Sequence, residues 1–442
     1  MDALLRPETT VSDRIAELGP DPDPRAIDEL WHSTRAAGCL VEDSSLSGLC
    51  RVTFLWREPR REARVAVYID TITDFHRSSL DGFELFRLGR SDLLHRTFLL
   101  PEALRATVSY WAPEHYDPAI GTSRDGWARM LAECQAPADA SGRVANSRGG
   151  WGSIIALPGA PPSRMPAGDG DEAVRALRDP SAPSAGGQRG PAERKRAGRW
   201  HASGEQPART TERQSAGPAG KQRAGERRLA GRWGSVELAG RGLCATAWVP
   251  DDPPRNAVVL LDGAMWRKNV PVQAGIEAVA PQPTLVVYID PPEGVDRADL
   301  LGLNPALPEL VADVLDAAGA GHVPPERAVV AGQSLGGLAS AWIAYSRPDR
   351  FGNAIVQSAS LWWPEDDPYR LTRLYSKRTP ADLPVRFFHE VGCLEWHLAE
   401  ENRQFAAVLA EAGFDIAWRQ YMGGHDYACW REGILDGLAH LL

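Results

Sequence analysis

Gly332-Gln333-Ser334-Leu335-Gly336-Gly337 places one serine hydroxyl between glycines, directly after the apolar run Ala328–Ala331 and before the helix-compatible stretch Leu338–Ala344. Strand, G-x-S-x-G and helix, in that order, make a nucleophile elbow, a turn so tight that glycine must flank the serine for the backbones to pass. The five-residue pattern alone arises by chance about 0.2 times in a chain this rich in glycine, so the flanking strand and helix carry the assignment. A serine hydroxyl is a poor nucleophile at neutral pH. It needs a histidine base and an acid to orient that base, arranged along the chain as serine, acid, histidine.

Three histidines lie between the loop around Asp382 and the terminal helix: His389, His397 and His425. His389 continues the apolar run Val385–Phe388 and reads as a strand residue, while His397 opens the helical stretch Leu398–Ala412, where a solvated face is expected. His425 follows the strand-like Ile416–Tyr421 through Gly423-Gly424, which lets a loop carry an imidazole over the carboxyl edge of a sheet, where an elbow displays its serine. The acid belongs on the loop after Val385–Phe388, which offers Glu390 and Glu395. Glu395, three residues beyond Gly392, is preferred, with Glu390 kept as the alternative; Asp426 is read as a helix cap or a solvated side chain. A tetrahedral intermediate also needs backbone N–H donors. The candidates are Leu335, after the nucleophile, and Ala264, in the turn Leu261-Asp262-Gly263-Ala264 that ends an earlier strand.

The elements around these residues change character along the chain. From about residue 233, apolar runs at Ala257–Leu261, Leu285–Ile289, Ala328–Ala331, Ala354–Val356 and Val385–Phe388 alternate with helical patterns. That is how a mostly parallel sheet with helices on both faces reads, and with the elbow it predicts an α/β hydrolase over residues 233–442. Ahead of it, Cys50–Trp56, Val65–Ile69, Glu84–Leu88 and Thr107–Trp111 are short, β-branched and aromatic segments between turns, which predicts an all-β antiparallel sandwich over residues 26–162. Residues 163–232 are rich in Pro, Gly, Ala and Arg. Between Gly186 and Arg232 twelve Lys/Arg stand against four Asp/Glu, with Trp200 and Leu229 the large apolar side chains. Such a stretch cannot repay the entropy of ordering, so it reads as a disordered linker, in preference to a basic nucleic-acid-binding arm.

The net charge of −9 argues against nucleic acid as partner, and no apolar run is long enough to insert in a membrane. The amino terminus has no cationic start followed by an apolar stretch, and the six cysteines show no C-x-x-C or C/H pairing. A cytoplasmic protein without a disulfide framework or a metal cofactor is the expectation.

Three segments carry a family resemblance: Ala331-Gly332-Gln333-Ser334-Leu335-Gly336-Gly337, Gln357-Ser358-Ala359-Ser360-Leu361-Trp362-Trp363-Pro364, and Trp418 through Asp426 followed by Cys429-Trp430-Arg431. They closely resemble the enterochelin (enterobactin) esterases. The front half is similar to that family too, in Val52-Thr53-Phe54-Leu55-Trp56-Arg57, in Arg87-Leu88 leading to Ser91-Asp92, and in Trp151–Pro162. The resemblance implies a cytoplasmic hydrolase that opens the tri-serine lactone of a ferric catecholate siderophore, with an immunoglobulin-like early-set domain in front. Iron then belongs to the substrate.

A ferric tris-catecholate is trianionic and aromatic, so an acidic protein must surround it with local cations and rings. Trp362, Trp363, Trp396 and Trp430 lie in loops near the catalytic candidates, and Arg297, Arg267 and Lys268 follow strands whose carboxyl ends face the same edge, which makes them candidate substrate-binding residues; Asn304 joins them because it matches a position of the family the chain resembles. The sequence departs from the family pattern at Leu300 and around Val314, which bears on ligand contacts and leaves the triad intact. Two other readings compete. One is a general carboxylesterase acting on another acyl ester or lactone; the other is a binding protein whose front sandwich docks a carbohydrate or a protein.

Overall fold

The computed structural model describes residues 4–34, 38–137, 140, 142–166, 200–202, 231–237 and 244–442. The apolar runs of the second half form one nine-stranded sheet. Its spatial order is Trp200–Ala202, Gly231–Glu237, Cys244–Pro250, Thr284–Asp290, Asn256–Leu261, Ala328–Gln333, Asn353–Gln357, Arg386–Gly392 and Ile416–Tyr421. The first three strands pair antiparallel, and from Thr284–Asp290 onward every neighbouring pair is parallel.

Alternation along the strands explains why both faces are covered. Val259, Leu261 and Val330 point into a core shared with the helices Leu307–Leu315, Leu335–Ser346 and Trp396–Glu411. Val258, Leu260 and Val329 point into a second core shared with Gln273–Val279 and Tyr427–Leu441. Each fully buried Val or Leu contributes about 1.5–3 kcal/mol of transfer free energy, which is why such runs cannot remain on a surface.

The front half pairs antiparallel throughout. Leu93–Pro101 lies between Thr9–Thr10 and Leu49–Arg57, which in turn pairs with Leu40–Asp43. A second sheet runs Ala66–Ile69, Arg105–Trp111, Trp151–Ala156, Arg143–Ala145. Val52, Phe54 and Phe98 from the first sheet meet Val67, Val108 and Ile155 from the second in one core, and Leu394 from the C-terminal half is buried in that same core.

Three expectations are corrected here. The front unit does not begin at residue 26: Leu5 is fully buried in its core and Thr9–Thr10 pairs with Thr97 and Phe98. Leu93–Pro101, one of the longest front strands, was not anticipated because His95-Arg96 interrupts its apolar pattern, and Glu84–Leu88 contracts to the pair Phe86–Arg87. Of the expected linker 163–232, residues 167–199 and 203–230 lie outside the described residues. Its beginning is docked: Glu432 accepts from Ser163 Oγ and the Arg164 N–H, and Met165 packs against the second core. Trp200–Ala202 and Gly231–Glu237 pair through their backbones, a bond that needs no apolar side chain.

Candidate active site

The parallel strands end at one edge, and the elbow stands there. Ser334 follows Ala328–Gln333 with φ 59° and ψ −124°, a strained conformation costing on the order of 1–3 kcal/mol. Its neighbours hold it: the Ser334 N–H donates to Gln357 O at 3.0 Å, and Ser334 O accepts from the Ser360 N–H at 3.1 Å. A β-carbon at Gly332 would lie 2.2 Å from Gly336 O, so the closeness of the two backbones makes glycine obligatory. Leu335 is the first residue of the helix Leu335–Ser346, where an N–H stands outside the helical ladder and is free to meet an anion.

His425 and Glu395 follow neighbouring strands of the same edge and pair directly, Nδ1 to Oε2 at 2.6 Å. Glu395 is fully buried, and its other oxygen accepts from Ser358 Oγ at 2.6 Å, the Gly392 N–H at 2.7 Å and Tyr421 OH at 3.1 Å. With Nδ1–H given to the carboxylate, Nε2 is the nitrogen left to take a proton. The imidazole is 31% exposed, open to a substrate. The segment 358–360 links Glu395 to Ser334, since Ser358 bonds Glu395 while Ser360 Oγ lies 3.4 Å from Ser334 Oγ. Contacts between nucleophile and base commonly tighten only when substrate is bound.

Glu390 lies elsewhere. It is fully buried against Arg419 Nε at 2.7 Å and Gln357 Nε2 at 2.6 Å; burial pushes its carboxyl above the ordinary range, against the pull of Arg419. His389 is a buried strand residue bonded to Asn402 Oδ1 at 3.0 Å, and burial drives its pKa down to about 3. His397 is exposed. Asp426 caps the helix Tyr427–Leu441 through the Ala428 N–H.

Several expected contacts are already occupied. The Ala264 N–H donates to Asp290 Oδ1 at 2.5 Å, so in this geometry it is not offered to an oxyanion. Arg267 Nη2 binds the same carboxylate at 3.0 Å. Arg297 forks onto Asp262, Nε to Oδ1 at 2.6 Å and Nη2 to Oδ2 at 2.7 Å, and Gln333 Nε2 also reaches Asp262 Oδ2 at 2.7 Å. Burial works against the Arg297 charge, yet the Asp262 carboxylate holds its pKa above the ordinary value. Asn304 serves its own loop, donating to Asp299 O and accepting from the Ala306 N–H. Trp430 is 2% exposed, donates to Ser358 Oγ at 2.9 Å and meets the His425 imidazole edge to face with ring centroids 4.6 Å apart, so it braces that imidazole from inside. Trp362 and Trp363 remain partly exposed and meet edge to face, with Trp363 Nε1 donating to Gly302 O. Lys268 is exposed, and Trp396 packs against the front core.

The sequence reading missed residues that reach this site from the front half. Thr71 Oγ1 accepts from the His425 N–H at 2.8 Å, and Thr107 gives Asp426 both its N–H, at 2.5 Å, and its hydroxyl, at 2.8 Å. Arg105 N–H donates to Met422 O at 3.2 Å. No local signal marks such partners, which are more than 300 positions away along the chain. In the sequence Asp262 reads only as a strand end; its left-handed φ of 58° and its three donors make it the support of the elbow. Among the described residues no group of three or more His, Cys, Asp or Glu is arranged to hold a metal ion, and no helix is long and apolar enough to cross a membrane.

Comparison with known proteins adds an independent line. Residues 247–441 match the family model described as "Putative esterase", and residues 51–165 match "Enterochelin esterase, N-terminal". The chain is 28% identical to an iron(III) enterobactin esterase of Dickeya dadantii, over 95% of this chain and 94% of the relative. It is 27% identical to an iron(III) enterobactin esterase of Escherichia coli O6:H1, over 88% and 90%. Among solved structures it is similar in fold to a ferric enterobactin esterase from Salmonella typhimurium, with a TM-score of 0.68, 24% identity and coverage of 94% and 98%. An enterobactin esterase from Shigella flexneri, crystallised in the presence of enterobactin, gives a TM-score of 0.64 at 23% identity over 94% and 97%.

Proposed function

The chain belongs to the enterochelin esterase family, and from that premise we propose that it is a serine esterase cleaving the tri-serine lactone of a ferric catecholate siderophore, releasing iron in the cytoplasm. The observation that carries the chemistry is the buried Glu395 bonded to His425 on the strand edge that displays Ser334. In this reading Ser334 Oγ attacks a lactone carbonyl carbon while His425 Nε2 takes the hydroxyl proton. The Leu335 N–H meets the developing oxyanion. The acyl carbon–oxygen bond breaks and the departing seryl oxygen recovers the proton from His425. Water, deprotonated by the same imidazole, then frees the acyl group from Ser334. Glu395 keeps the imidazole in the required tautomer and stabilises its charge.

The finer fold assignment belongs to the same proposal: an α/β-hydrolase unit behind an immunoglobulin-like early-set sandwich, supported by the parallel sheet with its elbow and by the two facing antiparallel sheets. So does the division into a front unit from about residue 4 to 162 and a catalytic unit from 231 to 442, for which the separate sheet systems argue, with the start of the connecting segment docked on the catalytic unit.

One observation favours a broader carboxylesterase reading: Arg267 and Arg297, expected to meet a trianion, are both ion-paired within the protein. Incubating purified protein with ferric and metal-free trilactone and following products by mass separates the two. Linear and monomeric dihydroxybenzoyl-serine products, formed faster than a simple aryl ester is turned over, support the siderophore reading. Turnover of the aryl ester with the trilactone left intact sinks it.

A further inference from the structure

One of the places where the front unit touches the active site is the turn between the strand Ala66–Ile69 and the short helix Asp74–His76. Thr71 lies there in a left-handed conformation, φ 66°, unusual for a β-branched residue, and is 1% exposed. The turn is over-determined around it: the Thr71 N–H donates to Asp74 Oδ2 at 2.9 Å, the Ile69 N–H to Thr73 Oγ1 at 2.9 Å, and the Ile72 N–H to Asp70 O at 2.8 Å. What this costs in strain delivers one group to one place. Thr71 Oγ1 donates to Asp70 Oδ1 at 3.1 Å and accepts from the His425 N–H at 2.8 Å. The fit is close enough that a β-carbon at Gly424 would fall 2.0 Å from Thr71 Oγ1.

The same turn reaches the partner of the histidine. Phe75 stacks on Trp396, the residue after Glu395, at 6.1 Å and 27° between ring planes, and Trp396 itself has a positive φ of 42°. On the far side of His425, Thr107 holds Asp426 by two hydrogen bonds. The dyad thus has both of its loops braced by a unit that supplies no reacting atom.

We propose that Thr71 is a positioning residue for the reaction: the front unit, through the Thr71 hydroxyl, fixes the backbone of the histidine loop so that the His425 imidazole stands where it can take the proton of Ser334. This rests on the reading of His425 as the base. A loop freed by about 1 Å costs on the order of a hundredfold in rate when it carries a catalytic group, without changing how substrate is held.

Thr71→Val keeps the branched shape and the left-handed backbone but removes the acceptor, leaving the His425 N–H without its partner. Steady-state kinetics of this variant on a small aryl ester are expected to show kcat lowered about ten- to a hundredfold with KM within about twofold, and Thr71→Ser is expected to return kcat to within about threefold of wild type. A merely structural role would move Tm without this split and without rescue by serine. Wild-type kcat in a folded Thr71→Val protein, or a loss that Thr71→Ser fails to repair, overturns the inference. Should Thr71→Val not fold, Thr107→Val decides, because it loosens the same loop from a regular strand; the expected result is again a lowered kcat at unchanged KM, and wild-type kinetics overturn the inference. His425→Ala is the control: if it keeps activity, the proposed function fails and this inference with it, whereas an inactive control beside a fully active Thr71→Val removes this inference alone.

Discussion

Replacing Arg297 by alanine is expected to damage cleavage of a small neutral ester as much as cleavage of a siderophore. The geometry dictates this. Arg297 makes two short charge-assisted bonds to Asp262, at 2.6 and 2.7 Å, and its Nη2 also lies 3.3 Å from Gln333 O, next to the nucleophile. The Asp262 side chain is 7% exposed and that of Arg297 35%, so the pair is neither fully buried nor a surface bridge. Breaking a buried pair costs about 3–5 kcal/mol, because the abandoned charge stays buried. An exposed pair is worth about 0–1 kcal/mol. With the carboxylate shielded, the guanidinium a third exposed and Gln333 still donating to Asp262, about 2 kcal/mol is expected for Arg297→Ala. Over a cooperative unit of this size, calorimetry should register that as a fall of about 2 °C in Tm. Because Asp262 also fixes Gln333, the elbow should loosen, and kcat/KM for an aryl ester and for ferric trilactone should fall by similar factors. A double-mutant cycle with Asp262→Asn should show coupling of at least about 1 kcal/mol. The reasoning is refuted if the aryl ester rate is untouched while siderophore kcat/KM drops tenfold or more and weakens further with salt. In that event the guanidinium leaves Asp262 to meet the substrate.

Three further outcomes follow from the site. Glu395→Gln should lower kcat on either ester by about a thousandfold or more, whereas Glu390→Gln should leave kcat within about threefold and lower Tm; the reverse ranking in steady-state assays would exchange the acids. Ser334→Ala should abolish hydrolysis yet still bind ferric siderophore, followed by quenching of tryptophan fluorescence; turnover by that variant would remove the nucleophile assignment. The third concerns acid stability. His389 is neutral and buried, with a folded pKa of about 3 against an ordinary 6.5. A depressed value means that the unfolded chain binds the extra proton, so the stability contributed by this group is complete above about pH 6.5 and is lost as pH falls toward 3. The slope is at most about 1.4 kcal/mol per pH unit, and urea titrations of His389→Gln, which keeps a donor for Asn402, should lack it.

Much of the catalytic half was legible because its signals are local. An elbow needs glycines at fixed offsets from Ser334, and a parallel strand needs a short apolar run, so both are written within a few residues. Glu395 could be preferred over Glu390 because the offset from Gly392 separates a loop position from a strand position; in the fold the Glu395 carboxylate bonds His425. What was not legible is pairing at a distance. Arg267, Arg297 and Asn304 look like free binding groups in a string of letters; their partners Asp290, Asp262 and the backbone of the 299–306 loop become neighbours only on folding. Trp430 looked like a substrate platform, yet it lies on the inner face of the terminal helix, where amphipathic burial claims it. Ala264 stands at the strand end where an oxyanion donor is expected, but the carboxylate of Asp290, 26 residues on, takes its N–H. The start of the front unit was misplaced because Leu5 and Thr9–Thr10 are too short a signal to announce membership in a sheet whose other strands begin thirty or more residues later.

Leu394 has one more consequence. It is fully buried, yet the core that buries it is built from Val52, Phe54, Phe98 and their neighbours in the front sheets, with Trp396 and Met422 packed against the same cluster. The C-terminal half expressed by itself would carry those side chains to water within a few residues of Glu395 and His425, as an adhesive surface inviting self-association. The two halves are therefore thermodynamically inseparable partners: calorimetry of the intact chain should give a single endotherm, and the hydrolase half should not be transplantable as a free-standing module.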